Sequence, residues 1–367
     1  MGARESRLAI GLMSGTSMDG IDAALIRTDG AAVFEPVVHL AQSYDPAFRA
    51  ALRSAVGKAG AHKEIAAALT VRHAEAVRAL LAESHFPAAN VEIVGFHGHT
   101  VLHDPVNALT VQIGDGQRLA NEVGIDVVAD FRTADVQGGG QGAPLAPIFH
   151  VVRAPEERPV CFLNIGGVAN LTWIGAKADP ARTDVFEHLL AFDTGPGGAL
   201  IDDWVYRHTG EAFDQDGRFA AAGQVDLEVL ARLMSDKYFR KTPPKSLDRD
   251  AFDVSPVEGL SPEGGAATLT AFTVAAVAQA AMFLPVRPAR WLVTGGGRKN
   301  TTLMRGLRHA LNADVAPTEA AGIDGDILEA QAFAYLAVRS LRGLPLSGPK
   351  TTGVVAPTPG GRLFRPA

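Results

Sequence analysis

Leu8-Ala-Ile-Gly-Leu-Met-Ser-Gly-Thr-Ser-Met-Asp-Gly-Ile-Asp-Ala-Ala-Leu-Ile26 is the stretch whose reading decides the fold class. An apolar run leads into Ser14-Gly15-Thr16-Ser17, then Asp19-Gly20, then a second apolar run. Asp-Gly between apolar runs is a hairpin signal, so the segment reads as strand, tight turn, strand. A Gly/Ser/Thr turn offers backbone N–H groups and hydroxyls to an anion, and nearby carboxylates can hold a cation. That combination suits a metal-bound nucleotide phosphate. Any hairpin also needs Gly and Asp, so the stretch alone leaves both readings open.

The same form returns further along, at Phe162-Leu-Asn-Ile-Gly-Gly-Val-Ala-Asn-Leu-Thr-Trp-Ile174. This echo predicts two similar halves, each opening on a hairpin. Strands are expected at 8–13, 21–28, 33–42, 93–97, 110–113, 127–129, 160–165, 171–174 and 290–294. Helices are expected at 46–56, 64–83, 116–123, 198–208, 226–234, 266–283, 301–311 and 327–341. The alternation argues for α/β architecture. The division is expected in the Pro/Gly-rich stretch around 138–147 or shortly after it, giving lobes 1–147 and 148–367, with the final helix able to pack back on the first. Residues 345–367 read as an irregular tail.

Composition narrows the function classes. The chain has 367 residues, 47% of them hydrophobic and 20% charged, which is globular rather than disordered. A net charge of −6 without a basic block argues against nucleic acid. Gly264 to Val286 carries no charge, but its Thr and Ala content reads as a buried helix rather than a membrane span. The first residues show no signal-peptide apolar core, and the single Cys161 permits no intrachain disulfide. Both point to the cytoplasm.

Glycine-rich turns follow apolar runs at Gly15–Gly20, Gly166-Gly167, Gly195-Pro-Gly-Gly198 and Gly295-Gly296-Gly297. Backbone approaches a ligand closely only where side chains are missing, and open α/β sheets bind ligands at strand carboxyl ends. None of the turns is a Walker A sequence. Asp193 precedes such a turn, which suits a general base or metal ligand, with an Asx-turn or helix cap as the structural alternative. His97, His99 and His103 could suggest a metal if alternate histidines share a strand face, but polar substrate contacts fit better. Arg132 could clamp a carboxylate or phosphate, or pair with Asp130. Asp326 and Glu329 together look like a capping box, unless Glu329 faces a ligand.

These residues converge on a known family. The chain resembles the anhydro-N-acetylmuramic acid kinases of the actin, Hsp70 and sugar-kinase superfamily. The likeness rests on Gly11-Leu-Met-Ser-Gly-Thr-Ser-Met-Asp-Gly-Ile-Asp22, Gln112-Ile-Gly-Asp115, Val128-Ala-Asp-Phe-Arg132, Gly139-Gly-Gln-Gly-Ala-Pro-Leu145 and Leu163-Asn-Ile-Gly-Gly-Val-Ala-Asn170. It continues in Phe192-Asp-Thr-Gly-Pro-Gly197, Pro244-Lys-Ser246, Thr294-Gly-Gly-Gly297 with Asn300, and Glu329-Ala330 with Phe333-Ala-Tyr-Leu-Ala337. The resemblance implies a two-lobed fold with a duplicated ribonuclease-H-like core and a central ATP cleft. It implies hydrolytic opening of 1,6-anhydro-N-acetylmuramic acid and phosphorylation of O6, within cell-wall recycling, by a homodimer.

Carried over residue by residue, Asp193 is the base that activates water. Gly15, Thr16, Ser17, Met18, Asp19, Gly20, Ile21 and Asp22 wrap the ATP phosphates, with Asp19 near Mg2+. Gly166, Gly167, Gly195, Gly295, Gly296, Gly297 and Asn300 bind the nucleotide, and His97, Arg132 and Glu329 contact the sugar. Two positions depart from the family pattern. Gly198 stands where Asn is usual, and His99 stands where Gln is usual, which introduces a pH dependence near neutrality as an expectation. An actin- or Hsp70-like ATPase, a sugar kinase of other specificity and a sugar-sensing pseudoenzyme are the alternatives.

Overall fold

The computed structural model describes residues 5–15, 17–58, 60, 62–249 and 251–367. Its strands are β1 (Arg7–Met13), β2 (Gly20–Thr28), β3 (Phe34–Ser43), β4 (Val91–Phe96), β5 (His99–Asp104), β6 (Leu109–Ile113) and β7 (Val127–Ala129). They continue as β8 (Val160–Ile165), β9 (Val168–Ile174), β10 (Leu189–Pro196), β11 (Arg290–Thr294), β12 (Asp314–Pro317) and β13 (Arg362–Phe364).

The chain divides into two compact units. One runs to Arg153 and also takes Ala178–Glu187 and Ile327–Ala367; the other comprises Ala154–Lys177 and His188–Asp326. The boundary falls after Arg153, shortly past the Pro/Gly-rich stretch, because the helix Pro147–Arg153 stays with the first unit. The last 41 residues also leave the expected second lobe and belong to the first.

Within the first unit the sheet order is β13-β7-β4-β1-β2-β3. β1, β2 and β3 form an antiparallel meander, while β4 and β7 continue parallel to β1. Within the second unit the order is β10-β9-β8-β11-β12. Here β8, β9 and β10 form the antiparallel meander, with β11 and β12 parallel to β8. The two cores therefore share strand order and strand sense, apart from the added edge strand β13. This is the duplication announced by the echo between residues 8–26 and 162–174.

Alternation in β1 decides its faces. Leu8, Ile10 and Leu12 enter one buried apolar cluster with Leu52, Leu69, Val77 and Phe96. A fully buried aliphatic or aromatic side chain contributes roughly 1.5–3 kcal/mol, so a one-residue slip of register would be costly. The opposite face carries Gly11, paired in register with Gly95 of β4. The helix Leu328–Leu341 lies directly on these two glycines. A Cβ on Gly11 would stand 1.9 Å from the Ala330 carbonyl oxygen, and one on Gly95 would stand 2.1 Å from that of Phe333. Only glycine permits this contact, and it fixes where Glu329 sits.

Pro262–Phe283 is long and apolar enough to cross a membrane by length and composition, with 61% of its apolar window buried. It packs among the second unit's helices, where Trp204 donates to the Pro262 carbonyl at 2.7 Å. The tail expected to be irregular contains β13, which pairs antiparallel with β7.

Candidate functional site

In the first unit the opening hairpin is held from beneath. Ser14 is buried at the end of β1. The Tyr44 hydroxyl donates to Ser14 Oγ at 2.9 Å, and Ser14 Oγ meets His99 Nδ1 at 3.1 Å. The Tyr44 amide also donates to the Asp19 carbonyl at 2.9 Å, so one residue grips both ends of the loop. A turn closes from the Met18 amide to the Gly15 carbonyl at 3.0 Å, with Met18 at a φ of 54°. The Asp19 carboxylate is exposed and accepts from Ser17 Oγ at 2.7 Å. The Ile21 side chain points into the apolar core. Thr16 lies outside the described residues.

The histidines are not arranged as one strand face. β4 ends at Phe96, Gly98 turns the chain at a φ of 72°, and β5 begins at His99. Among the described residues no group of three or more His, Cys, Asp or Glu is gathered to hold a metal. Burial lowers the His99 pKa from the usual histidine value, and the hydrogen bond with Ser14 opposes that shift. Any pH dependence of this residue is therefore displaced to the acid side of the usual histidine range.

His97 and Arg132 form a fixed pair. Arg132 donates from Nε at 3.1 Å and from Nη2 at 3.0 Å to His97 Nε2. Its Nη1 donates to the Gly142 carbonyl at 2.8 Å. His97 Nδ1 faces the Gly98 carbonyl at 3.0 Å, and an N–H there leaves Nε2 as the acceptor that Arg132 needs. Burial, then the Arg132 charge, keep the His97 pKa well below its usual value. Both ring nitrogens are engaged by protein, and the ring lies 4.6 Å from that of Phe333. Arg132 is itself half-buried, and the charges of Glu329 and Asp135 oppose the burial that lowers its pKa.

Glu329 opens the helix Leu328–Leu341. Crowding by protein lifts its carboxyl pKa, and the Arg132 charge opposes the lift. The capping-box alternative fails, because Ile327 is the N-cap and no side chain caps the helix. Asp326 is instead taken by two cations, Arg298 Nη2 at 2.9 Å and Lys299 Nζ at 3.0 Å.

In the second unit three glycine turns meet at the carboxyl ends of β8, β10 and β11. The Gly197 amide donates to the Gly167 carbonyl at 2.9 Å, and the Gly198 amide to that of Gly166 at 2.7 Å. Gly295 has a φ of 75°, and a Cβ there would stand 2.4 Å from Asn164 Oδ1 and 2.6 Å from the Ile165 carbonyl oxygen. A Cβ on Gly296 would meet nothing within 4 Å. Arg298, nearly buried, braces the turn by donating to the Gly295 carbonyl at 3.0 Å and to Glu319 at 2.8 Å. Asn300 Oδ1 accepts from the Leu303 amide at 2.9 Å and caps the following helix. Glycine turns at strand carboxyl ends are where open α/β sheets bind their ligands.

Asp193 sits at a β-bulge, since Asp193 pairs with Asn170 while Gly195 pairs with Ala169. It is not a helix cap; Gly198 takes that position. Its amide donates to the Lys245 carbonyl at 3.0 Å, and its own carbonyl accepts from the Tyr238 hydroxyl at 2.6 Å. One carboxylate oxygen accepts from the Leu247 amide at 2.8 Å. The side chain keeps some open surface, yet dense protein around it raises the pKa to about 7. The Leu247 amide opposes that rise and the Asp248 charge adds to it. A carboxylate so tuned is a competent proton acceptor near neutral pH. Tyr238 and the Leu247 amide carry no motif of their own. The nearby Pro244-Lys-Ser246 was the sole signal in the sequence for this segment.

Comparison with known proteins adds independent findings. A model of the anhydro-N-acetylmuramic acid kinase family matches residues 7–366. A protein called anhydro-N-acetylmuramic acid kinase from Rhodospirillum rubrum is 53% identical over 362 residues, covering 97% of this chain and 94% of that one. Proteins of the same name from Paramagnetospirillum magneticum and Acidiphilium cryptum are each 52% identical. The first covers 98% of this chain and 100% of its own length, the second 98% of both.

Proposed function

This chain belongs to the anhydro-N-acetylmuramic acid kinase family, and from that premise we infer an ATP-dependent kinase of peptidoglycan recycling. Its substrate is 1,6-anhydro-N-acetylmuramic acid. Water bonds to C1, the C1–O6 bond breaks, and O6 takes the γ-phosphoryl group of ATP. The products are N-acetylmuramic acid 6-phosphate and ADP.

The observation that carries the residue-level reading is the Asp193 carboxylate, anchored by the Leu247 amide and poised with a pKa of about 7. Asp193 takes the proton of the attacking water. A base placed this way contributes on the order of 10²–10⁴-fold. Arg132 and Glu329 bind the sugar, and His97 acts by holding Arg132. Residues 15–22 bind the ATP phosphates. Gly166, Gly167, Gly195 and Gly295–Gly297 bind the nucleotide through their backbone, and Asn300 fixes the helix that follows.

Mg2+ fits the first hairpin by chemistry. Asp19 supplies an exposed carboxylate and Ser17 a hydroxyl, both hard oxygen donors. Magnesium is commonly held by one or two carboxylates together with substrate phosphates. When bound, it supplies charge neutralisation at the phosphates. A cytoplasmic setting is supported by the lone buried Cys161. A homodimer rests on family likeness, and light scattering of the purified protein tests it.

Mass spectrometry of the product made from anhydro-sugar, MgATP and ¹⁸O-water tests the whole reading. Label at C1 together with a phosphate is the expected result. Phosphate without label would leave an ordinary sugar kinase, and ATP hydrolysis indifferent to sugar would leave an ATPase.

A further inference from the structure

Asp135 is a buried carboxylate for which the foregoing mechanism has no use. It is 2% exposed, and no Lys or Arg forms an ion pair with it among the described residues. Burying an unpaired carboxylate costs several kcal/mol unless hydrogen bonds offset it. Here three donors do so. The Gly142 amide donates to Oδ1 at 2.7 Å, Thr352 Oγ1 donates to Oδ2 at 2.6 Å, and Ser347 Oγ donates to Oδ2. Ser347 and Thr352 are themselves buried. The 138–142 loop is moulded to this carboxylate, since a Cβ on Gly140 would stand 2.2 Å from Asp135 Oδ1. The Gln141 amide ties the same loop to the Thr352 carbonyl at 2.6 Å.

The far side of that loop holds Arg132. Gly142 gives its amide to Asp135 and receives Arg132 Nη1 on its carbonyl. The chain of contacts runs Thr352 and Ser347, Asp135, Gly142, Arg132, His97, all inside the first unit. A neutral Asn reproduces it only if both hydroxyls turn round to accept, because it would bring an NH₂ group towards hydroxyls that now donate. It would also remove a negative charge that supports the guanidinium.

We propose that Asp135 is a positioning residue for the kinase reaction, aiming the Arg132 guanidinium through the Gly142 peptide, with the segment 347–352 as its brace. The inference rests on the reading that Arg132 contacts the sugar. The test compares Asp135→Asn, the milder Thr352→Val, Arg132→Lys and the double variant Asp135→Asn/Arg132→Lys. For each, the KM for anhydro-sugar, the KM for ATP, kcat and the thermal midpoint are measured on the full chain.

The expected result is a sugar KM raised about tenfold or more in Asp135→Asn, the order for a charge-assisted hydrogen bond, and less in Thr352→Val. The ATP KM stays within twofold in both, and Asp135→Asn adds little once Arg132 is Lys, since contacts acting through one group are not additive. A purely structural role would lower the thermal midpoint and leave the sugar KM unmoved in the folded fraction. If Arg132→Lys raises the sugar KM while Asp135→Asn and Thr352→Val leave it unchanged, or if the effects add fully, the positioning role is wrong. If Arg132→Lys itself leaves the sugar KM unchanged, the assignment of Arg132 fails, and the positioning role with it.

Discussion

The amide of Leu247 donates to Asp193 Oδ2 across 2.8 Å, joining residues 54 positions apart in the chain. This bond anchors one oxygen of the carboxylate. Asp193→Asn keeps an oxygen that can accept from Leu247 but cannot take a proton. It is expected to lower kcat by about 10²-fold or more while ATP affinity stays within a few fold. Coupled ADP release and nucleotide titration measure the two. Turnover near that of the unaltered protein would reject Asp193 as the base.

The raised pKa of Asp193 sets two pH dependences of opposite benefit. Only the ionised carboxylate accepts a proton, so kcat/KM for the sugar should rise with pH and level off above about 7. Stability runs the other way. A folded-state pKa near 7 against about 3.9 for an unfolded Asp means that the folded chain holds the proton more tightly. The stabilising contribution is complete below the unfolded value and is lost as pH rises through 7. Asp193→Asn removes the charge, so its thermal midpoint should exceed that of the unaltered protein by more at pH 8 than at pH 5. An equal difference at both pH values would show that the carboxyl is not perturbed.

Legibility from sequence followed the range of the interactions. The hairpins were readable because Asp19-Gly20 and Gly166-Gly167 are local turn signals between apolar runs, and most central strands followed from alternation. The short edge strands β12 and β13 were missed, since four and three residues carry too little pattern. β5 was missed because His99, His103 and Asp104 disguise it. The return of the chain's end to the first unit was only partly legible. The final helix was expected to be able to pack back there, but nothing near Leu328 in the chain shows that it rests on Gly11 and Gly95. The same holds for the site. Asp193 and Arg132 stood out by type and place, but Leu247, Tyr238 and Asp135 act through contacts that only folding creates.

Gly95→Ala tests that helix contact. The new Cβ would stand 2.1 Å from the Phe333 carbonyl oxygen, against backbone rather than a yielding side chain. Overpacking of this kind costs roughly 1–3 kcal/mol or more, so the thermal midpoint should fall by about 1–4 °C or more. The displaced helix carries Glu329 and the Phe333 ring beside His97, so the sugar KM should rise as well. Differential scanning fluorimetry and steady-state kinetics check both. An unchanged midpoint would mean that the helix does not sit on the glycines.

Gly295→Ala separates nucleotide from sugar. At a φ of 75° an alanine is strained, and its Cβ would press on Asn164 Oδ1 and the Ile165 carbonyl, both at the carboxyl end of β8. Arg298 cannot absorb the shift, because it is nearly buried and tied to the Gly295 carbonyl, Glu319 and Asp326. The turn must therefore move as a block, and with it the backbone at Gly296 and Gly297 that the proposed site offers to the nucleotide. The expected outcome is an ATP dissociation constant raised about tenfold or more. Sugar binding, read by calorimetry without nucleotide, should stay within twofold, because the residues proposed to bind the sugar, His97, Arg132 and Glu329, lie in the other unit. Loss of sugar binding with intact ATP binding would assign the turn to the wrong substrate.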